Sequence, residues 1–177
     1  MLLREPGDEA QSSRQKGKYF TRMLRIVKVE TGKHLELARD ILKEYVDSLD
    51  FDLNFQDVEE EFGSLPGQYA PPEGRLLLAM YEGKPAGCIA LRKLNDGICE
   101  MKRLYVKPQF RDLGIGRALA EAIIEEAKRI RYTHMRLDTV PAMHRARALY
   151  ALLGFRNIRP YRYNPIEGSE FMELSLE

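Results

Sequence analysis

Residues 101–119 read Met101-Lys102-Arg103-Leu104-Tyr105-Val106-Lys107-Pro108-Gln109-Phe110-Arg111-Asp112-Leu113-Gly114-Ile115-Gly116-Arg117-Ala118-Leu119. The first residues have strand composition, and Pro108 ends the run because proline brings no N–H to a ladder. Two glycines, Gly114 and Gly116, then open a helix. The first N–H groups of a helix lack internal partners and sit at the positive end of its dipole. Without a Cβ at either glycine, a phosphate diester can come close to that backbone. Arg111 and Arg117 can add charge-assisted contacts. Two glycines alone also fit a plain tight turn. A dinucleotide-binding turn is a second rival, since Asp138 follows about where a ribose-binding acid would stand. Against it, Leu119 stands in place of the third fingerprint glycine, and Gly114 lies well past the strand end at Val106. A nucleotide P-loop would need Gly-Lys-Ser/Thr, which the stretch lacks.

Working outward, Arg75 to Tyr81, Pro85 to Leu94 and Ile98 to Val106 form a β-meander. Its turns fall at Glu82-Gly83-Lys84 and at Asn95-Asp96-Gly97, a strong hairpin signal. Upstream, Leu24 to Val29 alternates like a strand, and Thr31 stands where an N-cap belongs. Apolar residues at helical spacing follow from Leu35 to Leu49. A short helix is expected over Gln56 to Phe62, then a Pro- and Gly-rich loop over Gly63 to Gly74. Downstream, the helix over Gly114 to Arg131 turns Ile115, Leu119 and Ile123 to the core. Its outer face should pair Glu125 with Arg129. His134 to Thr139 is a strand. Ala142, Ala146, Leu149, Tyr150 and Leu153 mark one helix face, which Gly154 closes. Phe155 to Arg162 and Glu170 to Leu176 are the last expected strands. The order implies an α+β fold: a mixed, mostly antiparallel twisted sheet flanked by helices, with one parallel β-α-β crossover over 98–139. Residues 1–22 read as a disordered leader and 23–177 as a single domain.

The formal net charge of +1 gives no basic surplus for nucleic acid. No apolar run approaches the roughly 18–20 residues needed to span a bilayer. Cys88 and Cys99 lie in apolar stretches and read as buried, reduced thiols of a cytoplasmic protein. His34, His134 and His144 show no metal-ligand spacing, so no metal site is expected. A homodimer is left open.

The stretch 101–119 resembles the acetyl-CoA motif of the GNAT superfamily of N-acetyltransferases, whose core pattern is Gln/Arg-x-x-Gly-x-Gly/Ala after a strand. A second match follows in the family's order and spacing. Arg136-Leu137-Asp138-Thr139, then Ala146-Arg147-Ala148-Leu149-Tyr150-Ala151-Leu152-Leu153-Gly154-Phe155, is similar to its later strand–helix segment, which ends Leu-Tyr-x-x-x-Gly-Phe. The general layout extends the likeness from about Met23 to the C-terminus. The resemblance implies a sheet splayed between strands 98–106 and 134–139, with the pantetheine of acetyl-CoA in the gap. Pantetheine would pair with backbone groups around Leu104, Tyr105 and Val106. The pyrophosphate would meet the N–H groups of Arg111, Asp112, Leu113, Gly114, Ile115 and Gly116, beside Arg117.

The implied activity is acetyl transfer to a primary amine by direct attack in a ternary complex, which needs no enzyme nucleophile. A phenol is a proton donor at neutral pH. In similar proteins the Tyr of the Leu-Tyr pair protonates the leaving thiolate, here Tyr150, although its spacing also fits a core aromatic. Glu100 falls where some family members place a general base, and alternation puts it on one strand face with Lys102, Leu104 and Val106. It also fits a strand-end surface carboxylate. One departure is Met143, where many members carry an Asn that contacts pantetheine.

The acceptor, a small-molecule or peptide amine, would meet the first helices and their loop. An acidic rim of Asp50, Asp52, Asp57, Glu59, Glu60 and Glu61 would suit a cationic amine, and Arg75 and Arg103 would suit an acceptor carboxylate. A solvated helix face explains the same acids. An acyl-CoA-binding module that senses without turnover is the alternative to an enzyme.

Overall fold

The computed structural model describes residues 23–51 and 57–177. The expected leader lies outside the described residues, as do Asp52 and Gln56. The chain runs β1 (Leu24–Lys28), α1 (Gly32–Asp47), α2 (Val58–Gly63), β2 (Arg75–Tyr81), β3 (Lys84–Asn95) and β4 (Ile98–Val106). It continues with α3 (Ile115–Ile130), β5 (His134–Thr139), α4 (His144–Leu152), β6 (Arg156–Ile158) and β7 (Glu170–Ser175). The strands form one sheet in the order β1-β2-β3-β4-β5-β7-β6. Every neighbouring pair is antiparallel except β4 with β5. This is the expected α+β fold with its one parallel crossover.

Strand alternation divides the core. On one face, Leu77, Ala79, Ile89, Leu91 and Met101 pack under α3 and α4. On the other, Leu76, Leu78, Cys88, Ala90 and Tyr105 pack under α1 and α2. α3 carries a strong apolar stripe, with Ile115, Leu119, Ile123 and Ala127 all buried. Full burial of such side chains contributes roughly 1.5–3 kcal/mol each.

Three local readings are corrected. Arg129 pairs with Glu126, one residue nearer than expected, and Glu125 pairs with Lys128 at 3.5 Å. Glu126 is drawn inward because Lys28 and Arg75 reach it from β1 and β2, each at 2.9 Å. Thr31 precedes α1 in extended conformation, but its side chain makes no capping bond. β6 stops at Ile158, short of the expected Arg162. Pro160 cannot donate to a ladder, and Tyr161 and Arg162 turn back toward β4.

β4 is the strand that shapes the site. Arg103 sits at φ +59°, and the β3–β4 register slips between Cys88–Tyr105 and Ala90–Lys102. Two residues on β4 thus oppose one on β3, which is a β-bulge. The bulge resets the alternation. Glu100 and Lys102 share a face with Tyr105, toward α1, while Leu104 and Val106 pack with the α3 side. The expected single face of Glu100, Lys102, Leu104 and Val106 therefore does not exist.

Candidate active site

β4 and β5 pair only at Ile98–His134, Cys99–Met135 and Glu100–Arg136. Beyond Glu100 the strands separate, because β4 bends at its bulge while β5 stays with β7 through Thr139. Beyond Glu100 the edge of β4 that faces β5 thus has no strand partner. A cleft of about 600 Å³ occupies this opening. β4 contributes Leu104, Tyr105 and Val106. The turn contributes Arg111, Asp112, Gly114, Ile115 and Gly116.

The turn is made for an anion. Gly114 caps α3 at φ +76°, in the left-handed region, and no side chain caps the helix or places an acid in its first turn. The first amides of α3 are left for a ligand. Of the two glycines only Gly114 is left-handed, as is Asp112 at φ +63°, while Gly116 is helical. A Cβ at Gly116 would lie 3.6 Å from Val106 Cγ2, an ordinary contact, so its absence keeps space open rather than relieving strain.

Eight of the ten expected cofactor residues line the cleft, and two do not. Arg117 points away and bonds Glu121 at 2.7 Å. Leu113 is exposed and stands outside the lining. Arg111 is at the turn, where its Nε donates to the Val106 carbonyl at 3.2 Å. Across the mouth, Arg145 of α4 meets Asp112 at 2.9 Å in an exposed ion pair. Met143 lines the cleft, as the second motif implies for that position, but offers a thioether.

A smaller cavity of about 70 Å³ continues the cleft past Leu104, Met143 and Ala146 toward Tyr150. Tyr150 is buried and packs on Phe155, with ring centroids 5.7 Å apart. Burial pushes its phenol pKa well above the ordinary value, and Tyr45 and Asp138 push the same way. It therefore stays protonated at neutral pH. Both readings of Tyr150 apply, since the residue belongs to the core cluster and also lines the cavity.

Glu100 is placed differently. It is fully buried, lines neither cavity, and accepts from Arg92 Nε at 2.7 Å and Tyr161 Oη at 2.9 Å. Arg162 Nη2 lies 2.9 Å from Oε1, the oxygen that Tyr161 also bonds. It is not a surface carboxylate, and its oxygens are committed. The carboxylate that does line the inner cavity is Asp138, held by Arg162 and by Asn164 Nδ2 at 2.9 Å.

The acceptor expectations also move. Glu61 is buried against Arg103 at 2.7 Å, and the Tyr69 hydroxyl donates to it at 2.6 Å. Asp57 and Glu60 line a separate hollow with Gln68 and Arg92. Among the described residues the acidic rim does not face the cleft. Arg75 serves Glu126 and the carbonyls of Pro72 and Gly74. Arg103 lines the inner cavity, but its guanidinium is engaged by Glu61.

The far wall comes from the end of α1 through Tyr45, Ser48 and Leu49, the start of the stretch expected to meet the acceptor. Sequence reasoning missed Lys102, which is buried and lines the inner cavity. Cys88 and Cys99 are buried as expected, and burial pushes each thiol up to about 12. Among the described residues no His/Cys/Asp/Glu group could hold a metal, and no helix is long and apolar enough to cross a membrane.

Comparison with known proteins agrees with this geometry. The model of the acetyltransferase (GNAT) family matches residues 36–155. A protein of Schizosaccharomyces pombe named as an uncharacterized N-acetyltransferase is 36% identical over 150 residues, covering 84% of this chain and 92% of its own. An acetyltransferase structure from Streptococcus agalactiae superposes with a TM-score of 0.71 at 22% identity, over 86% of this chain and 98% of that one. The PaiA N-acetyltransferase of Thermoplasma acidophilum, solved with coenzyme A, gives 0.63 at 18% identity, over 86% and 98%. At those identities the two structures speak to the fold.

Proposed function

Because the chain belongs to the acetyltransferase (GNAT) family, we propose that it transfers an acetyl group from acetyl-CoA to a primary amine by direct attack. The observation that carries this reading is the continuity of the cleft. It runs from the uncapped start of α3, along the open edge of β4, to a protonated phenol. Pyrophosphate would rest on the amides around Gly114 to Gly116, where the dipole favours negative charge. Pantetheine would run along the part of β4 that has no strand partner. This threading directs the thioester to the inner cavity beside Tyr150.

There the amine nitrogen forms a bond to the acetyl carbonyl carbon, and the carbon–sulfur bond breaks. Tyr150 gives its proton to the departing thiolate. The coenzyme A bound to the Thermoplasma neighbour supports the choice of cosubstrate. A reducing, cytoplasmic setting suits two thiols that remain unpaired. The acceptor is a small-molecule or peptide amine slender enough to enter the inner cavity.

One observation favours a second reading. With Glu100 withdrawn into ion pairs, the expected carboxylate base is missing from the cleft, as it would be in a module that binds acyl-CoA without turnover. Calorimetry with acetyl-CoA, followed by thiol release in the presence of an amine panel, separates the two. The enzyme gives both signals and the sensor only the first.

A further inference from the structure

The reaction needs a group that takes a proton from the attacking nitrogen, and β4 presents one. Lys102 lies two residues beyond Glu100 on the same face, just before the bulge at Arg103. It is 8% exposed and lines the inner cavity with Tyr150, Asp138 and Tyr45. Resting on the acetyl-transfer reading, we infer that Lys102 accepts the proton of the acceptor amine, in the role that the sequence would give to Glu100.

The surroundings explain how a lysine can act as a base. Glu100 and Arg103 bear on it from β4, Arg92 from β3 and Arg162 from the β6–β7 connection. Asp138 of β5, Tyr150 of α4 and Tyr45 of α1 share its cavity. Burial lowers the ammonium pKa from 10.5 to about 7, Arg103 pushes the same way, Glu100 opposes, and Arg162 and Arg92 add to the lowering. Loss of solvation disfavours the charged form. The ion pairs matter too: Glu100 is already neutralised by Arg92 and Arg162, so its pull on Lys102 is blunted. At neutral pH a substantial fraction of Lys102 carries a lone pair, as a general base requires.

Protons balance around one cavity. As the nitrogen–carbon bond forms, Lys102 Nζ takes one proton from the acceptor nitrogen. The thiolate released by carbon–sulfur cleavage takes the Tyr150 proton. The Lys102 ammonium then returns a proton to the Tyr150 oxygen, directly or through water. An amine goes in, an amide and a free thiol come out, and both side chains are restored.

A buried lysine at this place has a rival role, as an ammonium that holds a carboxylate of the acceptor. Two variants divide the roles. Lys102→Arg keeps the cation but cannot lose its proton, and Lys102→Met keeps the length without either. Thiol release is followed from pH 6 to 10 with a panel of glycine, aspartate, spermidine, tyramine and an alanyl peptide, using whichever amine the parent acetylates. If Lys102 is the base, both variants lose roughly 10²–10⁴-fold in kcat at pH 7. The Lys102→Met deficit then shrinks as pH rises and supplies neutral amine, while acetyl-CoA affinity by calorimetry stays at the parental value. A Lys102→Arg rate equal to the parent's overturns the inference and leaves the anchor. Lysine Cε/Nζ correlation NMR on the parent supplies a readout without turnover: the resonance absent from Lys102→Arg should titrate near pH 7. A midpoint near 10 overturns the inference by itself. A parent that binds acetyl-CoA but acetylates no amine ends the acetyl-transfer reading, and this inference with it. A working parent with unaffected variants ends this inference alone.

Discussion

The Arg103 guanidinium grips both oxygens of the Glu61 carboxylate, from Nε at 2.9 Å and from Nη2 at 2.7 Å. The pair is buried, and the Tyr69 hydroxyl completes it. Arg103 is also the bulge residue at φ +59°. One ion pair thus ties the distortion that opens β4 from β5 to helix α2 on the other side of the sheet. Breaking a buried pair from one side leaves an uncompensated charge and typically costs about 3–5 kcal/mol. Glu61→Ala should therefore lower the thermal midpoint strongly. It should also weaken coenzyme A binding although Glu61 does not touch the cleft. Circular dichroism melts and calorimetry check both.

The same pair sets an acid limit. Burial pushes the Glu61 carboxyl up, but the Arg103 bond and charge and the Tyr69 bond outweigh it and hold the group below the ordinary 4.5. A group depressed in the folded state contributes stability that is complete above its unfolded pKa and is lost as pH falls through the folded one. Glu126 behaves alike: burial raises it, and bonds from Lys28, Arg75 and Arg129 bring it below 4.5. Stability should thus hold above about pH 5 and fall as pH drops below 4.5. In Glu61→Gln the fall should be shallower, as urea unfolding across that range would show.

Gly116→Val separates space from strain. Its Cβ meets only Val106 Cγ2, at 3.6 Å, so the variant should fold with a melting temperature near the parent's. Its branched side chain enters the space expected for pyrophosphate, and coenzyme A binding should disappear. Gly114→Val forces a β-branched residue to φ +76° and should cost about 1–2 kcal/mol in stability as well. A Gly116→Val protein that binds acetyl-CoA like the parent would place the phosphates elsewhere.

Glu100→Gln should register in stability before it registers in rate. The substitution leaves the partly buried Arg92 and Arg162 facing a neutral amide at a fully buried position, with Asp138 still paired to Arg162. A loss on the order of 3 kcal/mol is expected. A variant as stable as the parent, with its activity deficit confined to low pH, would return the base to Glu100.

Much of this was legible in the sequence where chemistry is local. The glycine turn, the meander with its Asn95-Asp96-Gly97 hairpin and the helix ending at Gly154 each carry their own signals within a few residues. The crossover and the turn place the cleft between β4 and β5, although the bend that parts the two strands comes from the bulge. What escaped was non-local. The bulge at Arg103 leaves no mark on alternation that one sequence can show, and it alone moves Glu100 and Lys102 off the face of Leu104. Glu61 reads as one acid in an acidic helix until Arg103 is seen beside it. Lys102 looks like a surface lysine because its burial depends on α1, on Asp138 and on the connection after β6, all far along the chain.

The most direct test of acetyl transfer in this cleft is acetyl-CoA-dependent thiol release with the amine panel, comparing the parent with Tyr150→Phe. The substitution keeps the ring against Phe155 and removes the hydroxyl proton. The parent should release thiol only when an amine is present. Tyr150→Phe should bind acetyl-CoA as tightly and turn over roughly 10²–10⁴-fold more slowly. Parental turnover in Tyr150→Phe, or a parent that binds acetyl-CoA and releases no thiol with any amine, would contradict the account.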